Sequence, residues 1–164
     1  MKKLNFDRAG LDMFFDRVTL LQEKLGPILF QLPPRWKINT DRLSHFLSIL
    51  PPHYRYAFEF RDPSWYNPAV YQLLHDYNCS FCIYELAGHL SPSEVTSDMV
   101  YVRLHGPSAN KYKGDYADKD LQVWSERCLQ WKSQKKDVYI YFDNDHAGYA
   151  AKNARSLQEL INIH

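Results

Sequence analysis

A small set of side chains in this 164-residue sequence has the types and spacing to do chemistry: Gln31, Glu59, Arg61, Arg103, His105, Asp143 and, two positions further on, Asp145. Arg61 and Arg103 with His105 can hold an anion such as phosphate or carboxylate, because a guanidinium offers a planar fork of donors to two oxygens. Glu59 and Asp143 can serve as general acid or base, with His105 a third candidate for proton transfer. The same carboxylates can ligate a metal, although two nearby arginines disfavour a dication, and whether a metal is bound stays undecided. There is a plainer reading of the same residues, an internal Glu–Arg network that only fills space. Charged groups are rarely buried unless paired, so Glu59 should pair with Arg61 or Arg103 under either reading.

These residues recur at one kind of place. In Phe58-Glu59-Phe60-Arg61 the phenylalanines fall on one face of a strand, and Glu59 and Arg61 on the other. Val100 to His105 puts Tyr101, Arg103 and His105 opposite the aliphatics. Tyr139 to Asp143 puts both tyrosines with Asp143, and in Leu29 to Pro33 it is Gln31 that opposes its apolar neighbours. One face suits a covering helix, and the other gathers polarity and charge toward the strand's C-terminal end. A parallel sheet covered by helices on both faces reads as near-continuous apolar runs instead. Charge collected at C-terminal strand ends suits a barrel mouth, where sites are assembled from several strands and the loops after them.

Between these strands lie helical periods. Leu11, Phe14, Val18, Leu21 and Leu25 predict a helix stopped by Gly26, and a second starts at a Thr40-Asp41 cap and ends at Pro51-Pro52. Ala69 to Tyr77, the Leu121, Trp124, Cys128, Trp131 stripe and the Ala150, Ala154, Leu157, Ile161 stripe predict three more. Strands are expected near 27–32, 54–61, 79–84, 98–104 and 138–142. Strands alternating with helices indicate parallel β/α units within one domain, residues 1–164.

Composition excludes several classes. A net charge of +1 gives no general attraction to nucleic acid, and 45% apolar with 24% charged residues is an ordinary globular balance. No run approaches the roughly 18–20 apolar residues of a membrane span, and Met1-Lys2-Lys3-Leu4 leads into Asn5-Phe6-Asp7-Arg8, not a secretory apolar stretch. Three cysteines argue for a reducing cytoplasm, and Cys79-x-x-Cys82 reads as core thiols, since a spacing of three sends the two to opposite faces of a strand. Gly-rich phosphate loops, H-E-x-x-H and G-x-S-x-G are missing from the sequence. The loop Lys111-Tyr112-Lys113-Gly114-Asp115-Tyr116 interleaves tyrosines with lysines, a pattern able to stack bases, although Asp115 and Asp118 weaken it.

Four motifs in order and spacing carry a resemblance. Phe30-Gln31-Leu32-Pro33-Pro34, Phe58 to Trp65, Tyr101 to Pro107 and Tyr141-Phe142-Asp143-Asn144-Asp145 resemble those of the YecE-like family, labelled a domain of unknown function. The resemblance covers nearly the whole chain and implies a TIM barrel of which this is the C-terminal portion: about the last five β/α units of a partial (β/α)8 barrel, the first three missing. Within these motifs Trp65 and Asn144 join Gln31, Arg61 and Arg103 as expected substrate-binding residues, with Glu59, His105 and Asp143 catalytic. Where the family has an Asp after the third of these strands, this chain has Glu85, a longer carboxylate for the same role.

Three readings of function stay open. One is an enzyme on a phosphorylated or otherwise anionic small ligand, of hydrolase or phosphoesterase type, its cofactor unknown. Another is a non-catalytic module for a nucleotide or single-stranded nucleic acid. The last is a truncated chain without activity of its own, whose open strand edges invite self-association or a partner chain supplying the missing strands.

Overall fold

The computed structural model describes residues 4, 8–109 and 112–162. Helices and strands alternate along an α/β chain that divides into two compact units, Met1–Cys79 and Ser80–His164.

The first unit contains α1 (Arg8–Val18), β1 (Ile28–Leu32), α2 (Thr40–Ser48), β2 (Tyr56–Phe60) and α3 (Pro68–Asp76). β1 and β2 pair in parallel from Ile28↔Tyr56 to Leu32↔Phe60. Their apolar face is aromatic: the rings of Phe30 and Phe58 stack at 5.3 Å, and Phe46 of α2 meets Phe30 edge-on at 5.0 Å. Leu43, Phe46 and Leu47 give α2 its buried stripe. The helix begins one residue before the expected cap, because Asn39 accepts from the Arg42 amide at 2.8 Å. α1 is shorter than its apolar spacing predicts. The Thr19 hydroxyl donates to the Phe15 carbonyl at 2.7 Å, and a 3-10 segment, Thr19–Lys24, replaces the last turns, with Gln22 at φ 49°. Side-chain capture of an i−4 carbonyl bends helices, so the helix yields well before Gly26.

The second unit contains β3 (Ser80–Leu86), β4 (His89–Leu90), β5 (Met99–Leu104), α4 (Asp118–Ser133), β6 (Asp137–Phe142) and α5 (Tyr149–Asn162). β3, β5 and β6 are parallel neighbours in that order, and the two-residue β4, absent from the sequence expectation, turns back antiparallel on β3. Val102 and Leu104 are buried toward the helix side. α4 buries Leu121, Trp124, Cys128 and Trp131, while Val138, Ile140 and Phe142 of β6 line a groove of about 490 Å³ with α4 and α5. Cys79, Cys82 and Cys128 are buried free thiols, as expected, and burial pushes Cys79 up to about 12 and Cys128 up to about 11. Among the described residues no helix is long and apolar enough to cross a membrane.

Candidate functional site

Parallel register places Gln31 beside Glu59, on the face that Arg61 also shares. Gln31 is exposed, whereas Glu59 is fully buried and accepts a hydrogen bond from Arg61 Nε, the guanidinium side chain being 7% exposed. The pairing expected from burial cost is therefore made between i and i+2 on one strand. Just beyond β2, Asp62 caps the turn by accepting from the Ser64 amide at 3.0 Å, and Lys37 lies 3.5 Å from the same oxygen. The Ser64 hydrogen bonds, helped by Lys37, hold the Asp62 carboxyl below the usual range. Trp65 follows as a core wedge. Its ring stacks on Phe60 at 4.8 Å, and its indole N–H donates to the Trp36 carbonyl at 2.6 Å.

In the second unit, Arg103, His105 and Asp143 come together at the ends of β5 and β6. The pairing of these strands outlasts both. The Asp143 amide donates to the Leu104 carbonyl at 2.8 Å, and the His105 amide to the Glu85 carbonyl at 2.9 Å. This extension holds the three side chains on one face. Arg103 Nη2 contacts Asp143 Oδ2 at 2.9 Å, and His105 Nδ1 lies 3.3 Å from the same oxygen. Exposure is graded across the cluster: Asp143 29%, Arg103 19% and His105 1%. The edge of the Tyr112 ring meets His105 at 5.3 Å.

The loop after β5 is fastened by groups with no obvious chemical signature in the sequence. Gly106 has φ +105°, and a Cβ there would stand 2.2 Å from the Lys113 carbonyl oxygen, so the position requires glycine. The Gly106 amide donates to the Tyr116 hydroxyl at 3.1 Å, which in turn donates to Glu85 Oε2 at 3.1 Å. Asn144, fully buried, donates through Nδ2 to the Gly114 carbonyl at 2.8 Å and to Asn153 Oδ1 at 2.9 Å. Asn153 Nδ2 then reaches Asp115 Oδ1 at 2.8 Å, and Lys152 holds Asp115 Oδ2 at 2.5 Å. Those two partners, Lys152 first, depress the Asp115 carboxyl. Asn153 stands outside the residues that the sequence motifs single out. The available signal was an amide on the buried stripe of α5, one helical step before Leu157.

Glu85 does not reach the Arg103 cluster's face. Register pairs Tyr84 with Arg103 and Glu85 with Leu104, so Glu85 projects to the helix side. There it helps line a pocket of about 320 Å³ with Tyr116, Asp120, Trp124 and Arg127. Burial raises its pKa above the ordinary range, opposed by the Tyr116 hydrogen bond. Tyr116 is buried in that bond and offers no face for stacking a base, and Lys111 lies outside the described residues. His45, His53, His75, His89 and His146 are exposed, as the sequence indicates. Among the described residues no three His, Cys, Asp or Glu side chains group as metal ligands. Asp145 is exposed ahead of a short 3-10 turn.

A shared carboxylate between a guanidinium and an imidazole has defined chemistry. The Asp143 carboxylate lies within ion-pair distance of both the Arg103 guanidinium and the His105 imidazole, an approach that falls short of hydrogen-bond geometry at His105 Nδ1. Were the ring to turn so that Nδ1 donates to Asp143, Nε2 would carry the basic lone pair, the division of labour used by His–Asp pairs in acid–base catalysis.

The family model described as "Protein of unknown function DUF72" matches residues 1–164. The UPF0759 protein YunF of Bacillus subtilis (strain 168) is 26% identical over 88% of this chain, which spans 60% of that protein's length. A crystal structure of a DUF72 family protein from Thermotoga maritima MSB8 superposes with a TM-score of 0.85 at 24% identity, over 94% of this chain and 65% of that one. A DUF72 family protein from Enterococcus faecalis V583 superposes with a TM-score of 0.81 at 20% identity, over 97% of this chain and 67% of that one. The likeness to both structures bears out the α/β fold with parallel strand pairing.

Proposed function

This chain belongs to the DUF72 family, and on that premise we propose that it is an enzyme for a phosphorylated or otherwise anionic substrate, with Arg103 binding the anion and His105 transferring the proton. Asp143, with Oδ2 3.3 Å from Nδ1, positions His105. The observation that carries the reading is the single oxygen, Asp143 Oδ2, set 2.9 Å from Arg103 Nη2 and 3.3 Å from His105 Nδ1. A structural ion pair alone needs no imidazole, and an orphan histidine needs no guanidinium. The three together at strand ends combine anion recognition with acid–base capacity. C-terminal strand ends are also where a (β/α)8 barrel builds its sites, so the reading and the barrel expected from the motifs support each other.

The test is ligand-induced stabilisation. Phosphate or a phosphomonoester that binds only the native chain must raise its melting temperature. Arg103→Ala should abolish that rise while leaving a cooperative transition, and His105→Gln should retain the rise but lose any turnover of the phosphomonoester. A full shift in Arg103→Ala would end the reading.

A further inference from the structure

The face of the second unit that carries Arg103 and Asp143 is lined with tyrosines. Register pairs Cys82 with Tyr101 and Tyr101 with Tyr139; two residues on, it pairs Tyr84 with Arg103 and Arg103 with Tyr141. Cross-strand partners in a parallel sheet project from the same face, so Tyr84, Tyr101, Tyr139 and Tyr141 surround the guanidinium's side of the sheet. They are not equivalent. Tyr84 and Tyr101 are buried and Tyr139 is half-buried, but Tyr141 is 42% exposed.

Tyr141 is also backed. Tyr101 stacks against it with ring centroids 5.1 Å apart and planes at 28°. A ring held from behind has little rotamer freedom left to lose when something covers its outer face, which is the condition under which an aromatic platform binds well. Its cross-strand neighbour is Arg103, so a flat apolar platform and an anion-binding group stand on adjacent strands. Strands lie about 4.8 Å apart, and with the reach of two side chains this is the scale of one sugar placed between a base and a phosphate.

Resting on the anionic-substrate reading, we propose that the substrate is a mononucleotide, its base stacked on Tyr141 and its phosphate on Arg103. The pairing of the two groups is what selects this class. Inorganic phosphate or a simple carboxylate would use Arg103 and leave an exposed tyrosine platform without a task. A purely aromatic ligand would use Tyr141 and ignore the guanidinium. Of the two tyrosines in register with Arg103, Tyr84 is buried and Tyr141 is exposed, so Tyr141 is the one of the pair that offers a ring face to a base.

Titration calorimetry of the full chain with AMP, ribose 5-phosphate and inorganic phosphate tests this. AMP should bind at least about tenfold more tightly than ribose 5-phosphate, the usual scale of one base stacked on one aromatic side chain. Tyr141→Leu should bring AMP down to the level of ribose 5-phosphate, and Tyr141→Phe, which keeps the ring, should retain the preference. Thermal melts of both variants confirm folding, which replacement of a side chain this exposed should not prevent. Equal affinity of AMP and ribose 5-phosphate for the unaltered chain would overturn the nucleotide inference and leave the role of Arg103 standing. No affinity for any of the three compounds would sink the role of Arg103 itself, and the inference with it.

Discussion

The two units hold their charged strand-end residues in opposite ways. In the first, Glu59 and Arg61 are neighbours on one strand, both shielded from water, and each is the other's partner. In the second, Arg103 and Asp143 come from different strands, keep 19% and 29% of their side-chain surface, and share their contact with a histidine. In sequence the two motifs look alike, an apolar strand that turns charged at its end. Burial separates them. A shielded ion pair has already met its desolvation cost and resists being opened by a ligand, whereas a partly solvated one can exchange water for an anion. The Arg103 cluster is therefore the better candidate for chemistry, and the Glu59–Arg61 pair the more sensitive point for stability.

The comparison breaks first at Glu59. Glu59→Gln leaves a guanidinium shielded beside a neutral amide and should cost about 3–5 kcal/mol, read as a lowered urea midpoint. Asp143→Asn, the matching change in the second unit, should cost no more than about 1–2 kcal/mol, because water reaches Arg103 when its carboxylate is lost. Equal losses would mean that the difference in burial has no energetic meaning.

Gly106→Ala probes what the second unit needs in order to keep its cluster partly open. The positive φ and the Lys113 oxygen 2.2 Å from the new Cβ should together cost about 3 kcal/mol and displace the loop that carries Tyr112. Asn153→Ala should follow at about 2 kcal/mol, since it strands the Asn144 and Tyr116 donors and the Asp115 acceptor together. If that variant melted like the unaltered chain, the amide network would not be what fixes the loop.

Much of this was legible beforehand, for a physical reason. Period-two alternation in 58–61 and 100–105 states directly which side chains share a face, and the parallel register then carries Glu59 next to Gln31 and Arg103 next to Tyr141. Other features depend on long-range contacts that no local pattern encodes. Trp65 reads from its motif as a ligand-binding ring, but only the packed structure shows Phe60 and the Trp36 carbonyl occupying it. Asn144 reads as a polar strand-end residue, and its Nδ2 is spent on Gly114 and Asn153, while its buried Oδ1 accepts no hydrogen bond among the described residues. Thr19 looks like an ordinary helical residue until its hydroxyl takes the Phe15 carbonyl. β4, at two residues, is shorter than any period that could announce it.

The smallest effect sharpens the contrast from the opposite face of the sheet. Glu85 is a carboxylate that burial makes harder to ionise in the folded chain than in the unfolded one, with a pKa raised from the ordinary 4.5. A raised carboxyl contributes stability that is whole below the unfolded value and is lost as pH climbs through the folded value. Asp62 and Asp115 are depressed, so they act with the reverse sign, losing their contributions as pH falls. Glu85→Gln should leave the acid-side loss from Asp62 and Asp115 in place and remove the decline above pH 4.5. The stability of the variant relative to the unaltered chain should thus grow from pH 4.5 toward neutrality, as urea unfolding across that range would measure. A difference that stayed flat would mean that the Tyr116 hydrogen bond already offsets burial in full, and that Glu85 is charged in its pocket like any surface glutamate.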